Sequence, residues 1–278
     1  MKIFLTGGTG FIGSYFLALA LKKGHEVIAL RRSESSGTAM SLSQEPTWLT
    51  CGFEDLELEH FEGVDVLVHL AAQGVSPKPA DWESCFDFNV IATLRIAKLA
   101  HEAGVARFVS SGTYAEYGLS GSRYERIPNN APLEPVEPYA ASKAAAGLAL
   151  ASFTRNMKWQ SFYGRIFSAF GEGQFEKNFW PQLKSVAESG EDFPMTEGAQ
   201  IRDFIPVEEV ARIFLTAAVE RDLESGVPVI ENVASGMPVT LKDFASEWWT
   251  RWGATGDLKL GAVPYRTNEV MTYIPEVP

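Results

Sequence analysis

The chain is poor in cysteine and histidine, with two and four among 278 residues. Two thiols, Cys51 and Cys85, make no disulfide framework, and no Cys/His spacing fits zinc, so no metal is expected. No run of about 18 apolar residues occurs, which excludes a membrane-spanning helix. No leader with a cleavage site precedes the first apolar run, because Met1-Lys2 enters it directly. A cytoplasmic location is therefore expected. Basic residues are the minority: 24 Lys and Arg against 35 Asp and Glu leave a net charge of −11. Such a surface repels nucleic acid, and Arg31-Arg32 is the only tight basic pair near a proposed site. A hydrophobic share of 46% with 21% charged residues is that of an ordinary globular protein. The length allows one large domain, or one plus a lobe.

What is present begins at the first residue. Ile3, Phe4 and Leu5 form a short apolar run that stops at Thr6, before Gly7, Gly8, Gly10 and Gly13. Phe11, Ile12, Phe16, Leu17, Ala20 and Leu21 then recur at helical period, Gly24 closes the helix, and Val27–Leu30 is apolar again. This pattern predicts strand, glycine turn, helix and strand, one parallel βαβ unit. Gly7 takes turn dihedrals that a Cβ obstructs, Gly10 admits a pyrophosphate, and Gly13 lets helix and strand pack. The candidate dinucleotide site comprises Gly7, Thr9, Gly10, Phe11, Ile12 and Gly13, with phosphates at the helix N-terminus. Arg31 and Arg32, just past the second strand, complete its far end.

Further along, Arg31–Pro46 reads as a loop, Thr47–Cys51 as a strand and Phe53–Glu62 as a short helix. Asp65–Ala72 reads as a buried strand whose small end, Leu70, Ala71 and Ala72, leaves room for a ligand. Gly74–Asp81 reads as a loop, Trp82–Gly104 as one long helix, and Arg107–Ser111 as a strand. Leu119–Pro138 is a loop, Tyr139–Asn156 an alanine-rich helix and Trp159–Phe167 the sixth parallel strand. Past Gly171 the rhythm becomes irregular: helices over Asn178–Gly190, Val207–Arg221 and Thr240–Trp252, strands over Asp192–Met195, Ile201–Ile205 and Val227–Val233. The expected fold is α/β, a Rossmann-type doubly wound parallel sheet over 1–170, with a smaller substrate-binding lobe over 171–278 that returns some elements to the sheet.

The sharpest chemical signal is Pro138-Tyr139-Ala140-Ala141-Ser142-Lys143. At i and i+4 on a helix, the Tyr139 hydroxyl and Lys143 ammonium lie on one face. A cation there is expected to lower the tyrosine pKa toward working pH, making an acid/base for carbonyl reduction or alcohol oxidation. The preceding strand ends in Ser110-Ser111-Gly112-Thr113, hydroxyls placed to hydrogen-bond a reacting oxygen.

These motifs, TGGTGFIG, DVLVHLAA, Asn89, SSGTYAEYG, PYAASK, GRIFSAFG, NFWPQL, RDFIPVEEVA and Pro264-Tyr265-Arg266, resemble in kind and order the extended short-chain dehydrogenases/reductases. That family comprises nucleotide-sugar epimerases, dehydratases and ketoreductases. The resemblance implies Thr113 as third catalytic residue beside Tyr139 and Lys143, with Ser111 as the fallback. It implies nicotinamide-ribose contacts from Tyr139 and Lys143, and substrate contacts from Thr113, Ser168, Asn178, Arg202 and Arg266. Asn178, Arg202 and Arg266 fall at phosphate-contact positions, although each could be a surface residue and Arg202 a partner of Asp203. Ser168 replaces an asparagine found in several relatives. NAD-using relatives carry an aspartate where Arg31 stands, so an arginine able to grip a 2′-phosphate points to NADP; in the alternative, Arg31 stacks on adenine in an NAD site. Gly52-Phe53 stands where the family has Gly-Asp. Dehydratases carry an acid pair directly after the catalytic threonine; here Tyr114-Ala115 follow, and Glu116 comes too late. The wording around Thr113 is similar to deoxysugar ketoreductases, so reduction of a nucleotide-linked 4-keto-6-deoxysugar is the first expectation. A nucleotide-sugar 4-epimerase and a reductase of small carbonyl compounds remain the alternatives, and a homodimer through Trp82–Gly104 and Tyr139–Asn156 is implied.

Overall fold

The computed structural model describes residues 1–75, 80–267 and 269–277. Seven strands make the central sheet: β1 (Lys2–Thr6), β2 (Glu26–Arg31), β3 (Thr47–Thr50), β4 (Val66–His69), β5 (Arg107–Thr113), β6 (Gln160–Ile166) and β10 (Pro228–Val233). Their spatial order is β10-β6-β5-β4-β1-β2-β3, and all neighbours are parallel. Strand succession reverses between β1 and β4, the place where open α/β sheets bind ligands.

Both faces of the sheet are covered, so both sets of alternating side chains are apolar. Ile3, Leu5, Val66, Val68 and Val109 pack with Phe16 and Leu17 of α1 (Phe11–Lys22) and Phe214 of α6 (Val207–Val219). Phe4, Leu67 and Phe108 pack on the other side with Ile96 of α3 (Thr93–Glu102) and Leu150 of α4 (Pro138–Met157). β4 is shorter than its apolar run: pairing ends at His69, and Leu70, Ala71 and Ala72 leave the ladder.

The single helix expected over Trp82–Gly104 is interrupted. α2 (Trp82–Phe86) passes into a π-helical stretch, Asp87–Ala92, before α3. Within that stretch Asn89 is buried; its Oδ1 accepts from Gln73 N–H, and its Nδ2 donates to the Gln73 carbonyl and Ser142 Oγ. The wide turn thereby ties the segment after β4 to α4. Apolar periodicity misses it, because the stripe is intact on either side.

The remaining elements form the lobe: β7 (Ser168–Phe170), α5 (Phe179–Ser189), β8 (Phe193–Pro194), β9 (Ile201–Pro206), β11 (Pro238–Thr240), α7 (Leu241–Arg251), β12 (Leu258–Lys259) and β13 (Thr272–Tyr273). β7, β11 and β13 all pair with β9, and β8 pairs with β12. Leu183, Phe193, Met195, Ala245 and Trp249 form a core of their own. α6 and β10 also follow Gly171, yet they belong to the main sheet and its cover. A separate cluster of Tyr117, Ile127, Phe167 and Tyr273 packs the C-terminal segment beneath the turn that follows β5.

Candidate active site

A cleft of about 810 Å³ runs along the carboxyl ends of β1, β4, β5 and β6. Gly7, Thr9, Gly10, Phe11, Ile12 and Gly13 line one part of it, together with Leu70, Ala71 and Ala72. Gly7 has φ +77°, and a Cβ there would lie 2.6 Å from Ala71 N. A Cβ on Gly13 would lie 1.9 Å from the Gly7 carbonyl oxygen. Bare backbone at these two positions lets the turn, α1 and the end of β4 close on one another. Gly10 caps α1 without a side-chain bond, and no acidic residue occupies the first turn. The first amides of α1 therefore suit an anion, and the turn fits a dinucleotide pyrophosphate.

Arg31, Arg32, Ser36 and Phe53 line the far end of this part. Arg31 Nε donates to Thr50 Oγ1 at 2.9 Å, and the guanidinium lies 5.1 Å from the Trp48 ring centroid. Phe53 offers an aromatic face there.

Pro138 opens α4, with φ preset for a first helical turn, so Tyr139 and Lys143 follow one turn apart. Thr113 ends β5 and caps the short turn Tyr114–Tyr117; its Oγ1 accepts from Ala115 N–H at 3.3 Å. The hydroxyl hydrogen remains free to donate to a substrate oxygen. Ser111, Thr113 and Tyr139 all border the cleft. Lys143 is 3% exposed. Tyr139 and Lys143 accept through their backbone carbonyls, from Ser142 and Tyr163, while hydroxyl and ammonium bond no described side chain.

The expected acidification of Tyr139 is not what its surroundings produce. Burial, then the negative charge of Glu116, pushes its pKa above the ordinary value. Burial brings Lys143 down to about 8, with Glu116 opposing. Desolvation sets the direction at Tyr139, and no lowering by Lys143 accompanies it. Tyr139 is thus a neutral O–H, suited to giving a proton.

Ser168, Asn178, Gln174, Phe170, Phe204 and Phe244 line the remaining part of the cleft. Arg202 does not border it: the guanidinium bonds Glu269 at 3.0 Å and the Ile201 and Val270 carbonyls. The Arg202–Asp203 pair left open by the sequence is not formed; Asp203 instead accepts from the Ser235 and Gly236 N–H groups at 2.7 and 2.8 Å. Adjacent residues of a strand face opposite ways, which separates the two side chains. Arg266 is exposed and also outside the lining. Among the described lining residues Arg31 and Arg32 are the only ions, and no carboxylate or imidazole is present.

Sequence reasoning did not find the aromatic wall of Phe170, Phe204 and Phe244, which unites three separate elements. It also set Glu116 aside, although Thr113-x-x-Glu116 is a capping-box pattern that points the carboxylate back at Thr113 N–H. Among the described residues no group of three or more His, Cys, Asp or Glu is placed to hold a metal, and no helix is long and apolar enough to cross a membrane.

A doubly wound parallel sheet with a glycine turn at its switch point defines a Rossmann-type dinucleotide enzyme. The model of the NAD dependent epimerase/dehydratase family matches residues 3–231, and the chain belongs to that family. It is 26% identical over 262 residues to dTDP-D-glucose 4,6-dehydratase of Mus musculus, covering 88% of this chain and 71% of that protein. It is 25% identical over 296 residues to dTDP-6-deoxy-L-talose 4-dehydrogenase (NAD(+)) of Aggregatibacter actinomycetemcomitans, covering 98% of each. Among solved structures, UDP-N-acetylglucosamine 4-epimerase from Methanobrevibacter ruminantium M1, in complex with UDP-N-acetylmuramic acid, superposes with a TM-score of 0.88 at 25% identity. That match covers 99% of this chain and 89% of the other.

Proposed function

We propose that the chain is an NAD(P)-dependent oxidoreductase acting on a nucleotide-activated sugar, reducing a 4-keto-6-deoxysugar with Tyr139 as acid/base. The observation that carries this reading is a pair of helix N-termini on one cleft. α1 begins at Gly10 and α5 at Asn178; neither has a side-chain cap bond or an acidic first turn, and both caps line the cleft with Thr113 and Tyr139. One suits the dinucleotide pyrophosphate and the other a substrate diphosphate, without help from Arg202 or Arg266.

The dinucleotide, when bound, supplies or accepts the hydride. Thr113 donates a hydrogen bond to the carbonyl oxygen as negative charge grows on it. Tyr139 gives that oxygen a proton. Lys143 offers N–H groups to the nicotinamide ribose and holds positive charge beside the phenol. The absence of a carboxylate from the described lining favours hydride transfer over elimination, which needs a further acid and base. The same Tyr139 and Lys143 serve a 4-epimerase, and the likeness to UDP-N-acetylglucosamine 4-epimerase supports that second reading. Arg31 and Arg32 favour NADP; the family's description and the NAD(+) in the talose dehydrogenase's name support NAD.

Tyr139→Phe is expected to abolish turnover while leaving dinucleotide affinity within a few-fold; unchanged turnover overturns the assignment. Thermal shifts with NADPH and NADH, repeated with UDP, dTDP, GDP and CDP, test the two anion sites, because a bound ligand stabilises by mass action. A small-carbonyl reductase predicts no shift with any nucleoside diphosphate.

A further inference from the structure

Behind the catalytic residues, away from the cleft lining, sits an ion pair that the proposed chemistry does not use. Glu116 is fully buried, and its Oε2 accepts from Arg165 Nε at 2.8 Å, with Arg165 5% exposed. Glu116 Oε1 accepts from Thr113 N–H at 2.8 Å. Tyr163 OH lies 2.8 Å from the same Oε1 and 2.8 Å from the Lys143 carbonyl oxygen, so its one proton is shared between them. Arg165 also donates to the Asn129 carbonyl at 2.8 Å and to Tyr117 OH at 3.1 Å, and Tyr117 OH donates to Asn232.

We propose that Glu116 is a positioning residue: one carboxylate, countered by Arg165, fixes the backbone of Thr113 directly and that of Lys143 through Tyr163. The inference rests on the proposed site of Thr113, Tyr139 and Lys143. A turn needing only an N-terminal cap would take that bond at the surface. Burial of an ion pair to cap four residues makes little sense on stability alone, because desolvation offsets most of the attraction. What the burial achieves is a rigid link between β5, which carries the hydroxyl, and α4, which carries the acid and the cation. Gly112, between them, is where a Cβ would lie 2.4 Å from the Tyr163 ring and 2.5 Å from Glu116 Oε1. The link is therefore packed to contact at Gly112.

The carboxylate also acts through space. Facing it are Arg165 and Tyr163 from β6, Tyr139 and Lys143 from α4, and Tyr117 from its own turn. Its charge raises both Tyr139 and Lys143.

The test uses NADH affinity against pH, which needs no substrate, alongside turnover of dTDP-4-keto-6-deoxyglucose. The wild type is expected to show a break in NADH affinity near the Lys143 pKa of about 8, absent in Lys143→Met. Glu116→Gln moves the break to lower pH, because a negative charge that favoured the protonated ammonium is gone. Tyr163→Phe keeps the ring and loses stability with the buried hydroxyl; at a temperature where it is fully folded by circular dichroism, it is expected to bind NADH about three- to tenfold more weakly than the wild type. A break that stays in place in Glu116→Gln, or Tyr163→Phe binding like the wild type, overturns the proposal. If the wild type turns over neither that ketosugar nor its UDP-, GDP- and CDP-linked counterparts, the proposed function fails, and the NADH titration still decides the role of Glu116.

Discussion

Gly13 shows how little space the dinucleotide turn has. A methyl group there meets the Gly7 carbonyl oxygen at 1.9 Å, so α1 must move off β1. Gly13→Ala is expected to cost about 1–3 kcal/mol in chemical denaturation and to abolish NADH binding; wild-type behaviour in both assays would contradict the packing described. At the same scale, Tyr139 and Lys143 were legible because an i,i+4 pair is a local fact about a helix. Glu116 was legible only as the cap of its own turn; its other partners, Tyr163 and Arg165, stand far along the chain and only the sheet brings them together. Arg202 was legible as an arginine and not as to direction, because Glu269 and Val270, which hold it, come from the C-terminal segment.

Among elements, the strands and helices of the sheet could be read from the sequence, since covering both faces demands continuous apolar runs in strands and stripes in helices. The π-helical stretch Asp87–Ala92 could not, and it carries a specific expectation. Asn89→Ala leaves the Gln73 N–H without its partner and the Gln73 carbonyl with only the weak Cys85 thiol at 3.8 Å, and such an unpaired group costs about 1–3 kcal/mol. Urea denaturation should register that loss, and faster amide exchange at Gln73 should accompany it. A variant as stable as the wild type would mean that the wide turn does not hold the segment after β4. The wall of Phe170, Phe204 and Phe244 belongs to this scale too: each ring is an ordinary core residue in its own strand or helix, and only the pairing of β7 with β9 and the docking of α7 make a surface of them.

For the whole molecule, acid should be destabilising through one buried imidazole. His69 is 1% exposed, with Nδ1 2.8 Å from Thr6 Oγ1 and Nε2 2.9 Å from Thr93 Oγ1. Burial, then the charge of Lys143, holds its pKa down at about 3. The unfolded chain takes up that proton near the ordinary histidine value of about 6.5, so its contribution is complete above that pH and is lost as pH falls toward the folded value. Unfolding free energy measured against pH should fall over that window, and His69→Gln should flatten the slope; equal slopes would contradict the burial argument. The two helical segments beside the cleft expose Ile91 at 62% and Leu148 at 71%. We propose that they meet their copies in a homodimer, which light scattering should find for the wild type and lose in Ile91→Glu/Leu148→Glu.

Tyr139 is proposed to protonate a sugar oxygen as hydride arrives from the dinucleotide. The most direct measurement follows reduced-nicotinamide absorbance, with NADH and with NADPH, on addition of dTDP-4-keto-6-deoxyglucose. One nicotinamide is expected to be oxidised per ketosugar by the wild type and none by Tyr139→Phe; equal consumption by both proteins would contradict Tyr139 as the proton donor.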